Sequence, residues 1–381
     1  MIDLEGARVT FEGSTDGTVG LEEEFAILDA GTLALVSRFE ELREAAAATD
    51  PGLAESISGE LIASEIEIRS GRGQTLATSV AAQRDYRRRL FALAAEHGVA
   101  LGATGTHPWA DYREQRIIDT DHYQRLNQEL RYVVWRNNTF SLHVHVGVHG
   151  ADRAVRTCDR LRPILPLLLA VSANSPYLDA QDSGLHSART VSFTRLFPRC
   201  GIPDPFGDWS TFADYVGFLL RTGSIVEFTQ VWWSVRPHVS FGTVEVRICD
   251  AQSSAVEGEA LAALITACVL QAARDEDEGK PGADVPGRLI EENLWRAIRH
   301  GLDGKLLDLE TGEPYPAPEV VERLAEWTAP ARAEHGIELG SLTPNGAQRQ
   351  RRLIEAGVPM EEVFAGTTRE TRETYAAQVA V

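Results

Sequence analysis

The chain has 381 residues, 43% of them hydrophobic, enough to bury a sizeable core, and carries a net charge of −19 from 37 basic and 56 acidic residues. So acidic a chain repels phosphate backbones and anionic lipid, which excludes nucleic acid and membrane surfaces as general partners but leaves room for a local arginine cluster to hold a small anion. The four cysteines, Cys158, Cys200, Cys249 and Cys268, form no CxxC pair and predict reduced thiols rather than a zinc or disulfide framework.

In chain order, MIDLEGARVTFEG lacks the basic and apolar regions of a secretion signal, so a cytoplasmic protein is expected. Strand-like alternation begins at TVGLEEEFAIL, where Glu22 and Glu24 share one face and Leu21, Phe25 and Ile27 the other. Glu23 falls among the apolar set, and periodicity gives no reason for it. In SEIEIRS, residues Glu65, Glu67 and Arg69 oppose Ile66 and Ile68. A helix is predicted over Leu76–His97, closed by Gly98. FSLHVHVGV then puts His143 and His145 opposite Phe140, Leu142, Val144, Val146 and Val148. The turn-rich stretch 172–190 holds Asn174, Asp182, Ser187 and Arg189, and Arg236 and His238 precede the next strand. In that strand, TVEVRICD, residues Thr243, Glu245, Arg247 and Cys249 oppose Val244, Val246 and Ile248.

The remainder is mostly helix-period sequence. One helix spans Gly258–Arg274, preceded by Ser254 and Glu257 at capping-box spacing. Its apolar run, Ala260 to Ala273, is shorter than the ~20 residues that cross a bilayer. A charged loop covers 275–284, and helices follow over Val285–His300, Glu319–Trp327 (with Pro318 suited to a first helical position) and Ala347–Ala356. Strands are thus expected in the first two-thirds and mostly helix in the last third.

A half-solvated strand is the ordinary explanation of any one alternating segment. Four such faces carrying Glu, His and Arg, with no Lys, suggest more. If the strands are neighbours, Glu22, Glu24, Glu67, Glu245 and His143 converge, and so many carboxylates stay ionised together only around positive charge. Oxygen ligands favour a hard divalent cation, with Mg²⁺ the best fit beside phosphates; the imidazole leaves Mn²⁺ open. The pair in HVH also occurs in zinc hydrolases, but the other histidines form no clear ligand set. The sequence has no GxxxxGK[ST], no GxGxxG after a strand and no GxSxG. Arginine forks suit carboxylate and phosphate oxygens, and Arg247, on the face of Glu245, is the strongest candidate.

The motifs GLEEEF, ELIASEIEIRSG, GTHP, SLHVHVGV, SANSPYLDAQDSGLHSART, WWSVRPH and FGTVEVRICDAQ, running in order from about residue 18 to 252, resemble those of the carboxylate–amine ligases, or glutamate–cysteine ligase type 2. ENLWRAIRHGLDGKL, residues 292–306, resembles the next helix and loop of that family. The resemblance implies an α+β, glutamine-synthetase-like catalytic fold, in which a curved, mainly antiparallel sheet forms a funnel with helices outside. It implies one catalytic domain over residues 1–381, sheet-rich through 252 and mostly helical from 253. It further implies an ATP- and Mg²⁺-dependent ligase that joins L-glutamate to L-cysteine, or to another amine, through an acyl phosphate, releasing ADP and phosphate. A homodimer is also implied.

Carried over by motif, the metal ligands are Glu22, Glu24, Glu67, Glu245 and His143. Glu60, seven residues before Glu67, stands near the amine or metal. Arg247 and Arg189 act on phosphate or the substrate carboxylate, Arg236 joins Arg247 at the nucleotide, and Asn174 joins Glu60 and Arg189 at the substrate. The competing expectation is a non-catalytic ligand-binding protein with the same fold.

Overall fold

Strands with one apolar face must bury it, and seven of them do so in a single antiparallel sheet. The computed structural model describes residues 3–282 and 285–377. The sheet strands are β1 (Val19–Asp29), β2 (Ile57–Ser58), β3 (Glu65–Arg69), β4 (Val99–Gly102), β5 (Ser141–Gly147), β6 (Val235–His238) and β7 (Thr243–Asp250). Their order is β6–β7–β5–β1–β3–β2, with β4 also paired to β1. The long β1 is the hub. Its residues 19–23 pair with β5, residues 22–26 with β3 and residues 26–29 with β4.

The apolar face follows the expected alternation. Leu21, Val144, Val246 and Val235 lie in register across four strands and are all buried. That face carries the helices. Among them are α1 (Leu76–Glu96), α2 (Ala151–Leu161), α3 (Leu165–Ser172), α4 (Ala255–Asp277) and α5 (Met360–Tyr375). A second core cluster joins Phe25, Ile66 and Ile68 to Leu90 and Phe91 of α1 and to Phe364 and Tyr375 of α5. This is the expected α+β arrangement of a mainly antiparallel sheet with helices outside.

Glu23 now has its explanation. It enters the core side of β1 and meets Arg87 of α1, whose Nε and Nη2 donate to its two oxygens at 2.6 and 2.5 Å. Gln83 Nε2 adds a third bond at 2.8 Å. The surroundings fit tightly, since a Cβ on Gly258 would lie 3.2 Å from Glu23 Oε1 and 3.3 Å from the Tyr375 hydroxyl.

Several expectations are corrected. Helices are interspersed through the first two-thirds, from Leu4–Glu12 to Trp209–Arg221, and the last third contains a hairpin of Lys305–Leu307 with Pro314–Pro316. Helix α1 matches its predicted span to within a residue, with Gly98 at φ +68° just beyond it. Helix α4 starts at Ala255, and Ser254 makes no side-chain capping bond. The Glu257 carboxylate is drawn instead to Arg349, a charge-assisted bond of 2.7 Å that outcompetes a backbone N–H. Because α4 continues to Asp277, the loop predicted over 275–284 begins later; its residues 283 and 284 lie outside those described. Pro318 sits in a 3₁₀ turn ahead of the helix Val320–Trp327. The 23 residues of α4 are long and apolar enough to cross a membrane, but 83% of its most apolar window is buried in this fold. It is a core helix.

Cys249 is also displaced. Pairing between β7 and β5 shifts between Val246 and Cys249, a bulge that gives β7 one extra residue. Beyond it the faces exchange, so Cys249 joins Leu142 in the core. The Asp250 carboxylate instead accepts bonds from Asn174 N at 2.8 Å, Ser175 Oγ at 2.6 Å and Ser187 Oγ at 2.9 Å.

Candidate active site

The register that buries the valines sets the ionisable groups of the other face in rows. One row is Ser58–Glu67–Glu24, the next Arg69–Glu22–His143, and the third Gly20–His145–Glu245–Arg236. The first two rows, with Glu245 and Arg236 of the third, floor a cleft of about 600 Å³. The opposite wall includes Leu61, Leu126, Val134, Phe197 and Trp232, with His122, Tyr123 and Glu227.

Short bonds tie the floor together. Glu24 Oε2 accepts from the Ser141 backbone at 2.5 Å and from its hydroxyl at 2.6 Å. His143 Nδ1 lies 3.1 Å from Glu22 Oε2, and its Nε2 is 2.8 Å from Ser141 Oγ. His145 Nε2 lies 3.3 Å from Glu22 Oε1 and 3.8 Å from Glu245 Oε1. Glu245 is bracketed by Arg236, whose Nε donates at 2.6 Å, and by Arg247 Nη1.

The floor therefore divides electrically. Burial and repulsion from Glu24 push the Glu60 carboxyl up to about 8, against the pull of Arg247. Burial also drives Glu65 and Glu67 well above the ordinary carboxylate range, reinforced chiefly by Glu24 at Glu65 and by Glu22 at Glu67. Glu245 goes the other way. Burial would raise it, but Arg236, Arg247 and His145 hold it well below its usual value. Glu22 behaves likewise, with burial outweighed by His145 and by hydrogen bonds from both histidines.

Three sets of side chains each bring one ligand atom per residue within 4.8 Å of the others: Glu22, Glu67 and His143; Glu22, His145 and Glu245; and Glu24, Glu60 and Glu67. This donor set is rich in hard oxygen and could hold divalent cations. The unrelieved repulsion at Glu60, Glu65 and Glu67 is the condition such cations remove.

Of the residues expected here, Glu22, Glu24, Glu60, Glu67, His143, Glu245, Arg189, Arg236 and Arg247 all line the cleft. Arg236 uses each of its three nitrogens inside the protein, on Glu245 and on the Val231 carbonyl. Arg189 donates to the carbonyls of Ile248 at 3.1 Å and Arg247 at 3.2 Å. Its Nε and that of Arg247 are buried without partners.

Asn174 does not belong to this group, and its expected substrate contact is corrected. It is fully buried, and its Nδ2 donates to the carbonyls of Ala103 and Ala251 and to Ser253 Oγ. Its Oδ1 accepts from Gln350 at 2.8 Å. With every polar atom of its side chain engaged, Asn174 braces the 172–190 loop against the end of β7. Sequence reasoning missed His145, Glu65 and Arg69 as site residues although alternation put them on the correct face. It missed His122, Tyr123 and Glu227 because they lie in no alternating segment.

The arrangement defines a class: an α+β protein with a carboxylate- and imidazole-lined cleft on an antiparallel sheet. A glutamate–cysteine ligase from Francisella tularensis, solved in complex with AMP, shares the fold at TM-score 0.67 and 11% identity, over 96% of this chain and 90% of that one. A bifunctional glutathione synthetase from Pasteurella multocida matches at TM-score 0.68 and 14% identity, over 97% of this chain and 54% of its own. The family model for glutamate-cysteine ligase family 2 (GCS2) matches residues 18–375. The chain belongs to that family, a group of ligases of the glutamate–cysteine type. Its relatives include a glutamate–cysteine ligase of Natronomonas pharaonis, 36% identical over 92% of this chain and 94% of that protein. Another, from Rubrobacter xylanophilus, is assigned by name to the glutamate–cysteine ligase 2 proteins and is 39% identical over 96% of this chain and 94% of its own.

Proposed function

We propose that the chain is a single catalytic domain that joins the side-chain carboxyl of glutamate to the amine of cysteine at the expense of ATP. The carrying observation is the meeting of three ligand sets in the register of one sheet, with carboxyls that repel one another in the absence of a cation. The family and the names of its relatives support the substrates.

Mg²⁺ ions, or Mn²⁺ given the imidazoles, would be held by Glu24, Glu60 and Glu67, by Glu22, Glu67 and His143, and by Glu22, His145 and Glu245. When bound, they neutralise charge on the phosphoryl oxygens. Arg247 and Arg189 add fixed cations at the cleft wall for the phosphate and the substrate carboxylate. Arg236 acts through Glu245, keeping that carboxylate ionised and aimed. The glutamate carboxyl takes the γ-phosphoryl group, the amine displaces phosphate from the acyl phosphate, and ADP and phosphate leave. The apolar wall keeps water from the activated carboxyl.

The test is Mg²⁺-dependent ADP release with glutamate and a panel of amines, the product identified by mass spectrometry. The panel includes cysteine and amines with apolar side chains, because Leu61, Leu126 and Val134 face the acidic floor. We expect γ-glutamylcysteine. Absence of ADP release with glutamate and every amine tested would return the protein to ligand binding without catalysis.

A second expectation concerns pH. Glu60 is raised from an ordinary 4.5 to about 8, and Glu65 and Glu67 move in the same direction. A carboxyl raised in the folded state favours folding while protonated, so its contribution is complete below the unfolded value and is lost as pH rises through the folded one. The metal-free protein should lose several degrees of melting temperature between about pH 5 and pH 8, and Mg²⁺ should restore more at the upper end. Melting in EDTA and in MgCl₂ checks this; a Mg²⁺ shift independent of pH would count against it.

A further inference from the structure

The proposed reaction requires the amine to lose a proton, and among the described residues the imidazoles of the floor are bonded or enclosed. His143 is bonded at both nitrogens, and His145 lies between Thr243 and Glu22. His238 stacks on Phe241, with ring centroids 4.3 Å apart, and burial lowers it to about 3. The carboxylates of the floor are those that would hold cations, apart from Glu65, which is fully buried against Glu24.

The opposite wall offers a proton acceptor. His122, on the helix Asp121–Leu130, places Nδ1 2.5 Å from Glu227 Oε1, although the two residues are 105 positions apart. Both line the cleft, and their side chains are 35% and 40% exposed, open enough to meet a substrate. With Nδ1–H donated to the carboxylate, the ring is held in the tautomer whose Nε2 carries the lone pair. No protein group among the described residues bonds to Nε2. The next residue, Tyr123, donates its hydroxyl to the Gly59 carbonyl at 2.7 Å, which ties this helix to the turn carrying Glu60. Leu126, one turn further along, belongs to the apolar wall.

We propose that His122 is the base that deprotonates the attacking amine and that Glu227 is its positioning residue. The inference rests on the ligase reading above. The ammonium form of the substrate gives one proton to His122 Nε2. The freed nitrogen lone pair forms the bond to the acyl carbon, and the bond from that carbon to the phosphate oxygen breaks, its electron pair leaving on phosphate. The second amine proton passes to the departing phosphate, and the imidazolium returns its proton to solvent.

The test compares two nucleophiles on the full chain with ATP, Mg²⁺ and glutamate. Hydroxylamine is unprotonated at neutral pH and needs no base; the second nucleophile is the amine selected by the panel, cysteine in our reading. His122→Gln should lower amine ligation by about 10²–10⁴-fold. It should leave glutamyl hydroxamate formation within about twofold of wild type. Glu227→Gln should lower amine ligation by a smaller factor, and Glu227→Asp should recover part of it. Equal losses with both nucleophiles would make the pair a structural latch across the cleft, and undiminished amine ligation in His122→Gln would end its role as base. Either result overturns the assignment. Absence of hydroxamate with the wild-type enzyme would instead reject the ligase reading itself.

Discussion

Glu67→Gln should lower Mg²⁺-dependent ADP release by at least about 10²–10³-fold while leaving the metal-free protein as stable as wild type, or more so above neutral pH. Glu67 belongs to two of the three ligand sets, so its loss affects two cation positions at once. It is also among the carboxyls that burial and like charge force upward, so the neutral amide relieves repulsion in the empty cleft. Its nearest cation, Arg69, lies 3.8 Å away on a side chain 41% exposed, so little attraction is lost. Glu245→Gln differs, because it strands Arg236 and Arg247 and should lower stability together with turnover. Glu67 is therefore the position that separates catalysis from folding. The measurements are coupled ADP release and thermal unfolding in EDTA; wild-type turnover in Glu67→Gln would remove the metal role.

The largest expected effect on stability lies behind the cleft. Arg87→Met should destabilise the fold by about 3–5 kcal/mol, because it leaves Glu23 charged and enclosed with only Gln83 as a partner. Glu23→Leu alone should also be costly, since Arg87 retains only Glu259, at 2.8 Å, and the face of Tyr375, 4.8 Å away. The double variant Arg87→Met, Glu23→Leu should recover much of the loss, as replacing both members of a buried pair often does. Urea unfolding of the four proteins gives the coupling directly. Additive losses would mean that the pair contributes nothing beyond its separate packing. Glu23 lies between Glu22 and Glu24 on β1, so the single variants should also disturb the cleft.

Much of the site was legible because a strand alternates with period two. That rule placed Glu22, Glu24, Glu67, His143 and Glu245 on one face without knowledge of the sheet order, and the sheet order then made them neighbours. The rule failed wherever a residue answered to a partner distant in sequence. Glu23 broke the pattern on account of Arg87, 64 positions away. Cys249 changed sides because an extra residue in β7 has no periodic signature. Asn174 looked like a ligand contact because polar residues in a turn-rich loop resemble a binding loop, yet its partners are the carbonyls of Ala103 and Ala251 and the side chains of Ser253 and Gln350. His122 and Glu227 stood in unremarkable sequence and acquired meaning only on meeting. Within the helices, composition located the spans well and the caps poorly, as Ser254 and Glu257 show.

The bulge in β7 carries an evolutionary consequence. Pairing the same residues of β7 with β5 without that bulge would return Cys249 to the cleft side and turn the Asp250 carboxylate into the valine layer, severing its bonds to Asn174, Ser175 and Ser187. The extra residue of β7 should therefore be retained across descendants of the gene. Drift in the lineage should be recorded in the loops, while the spacing from Glu245 to Asp250 stays fixed.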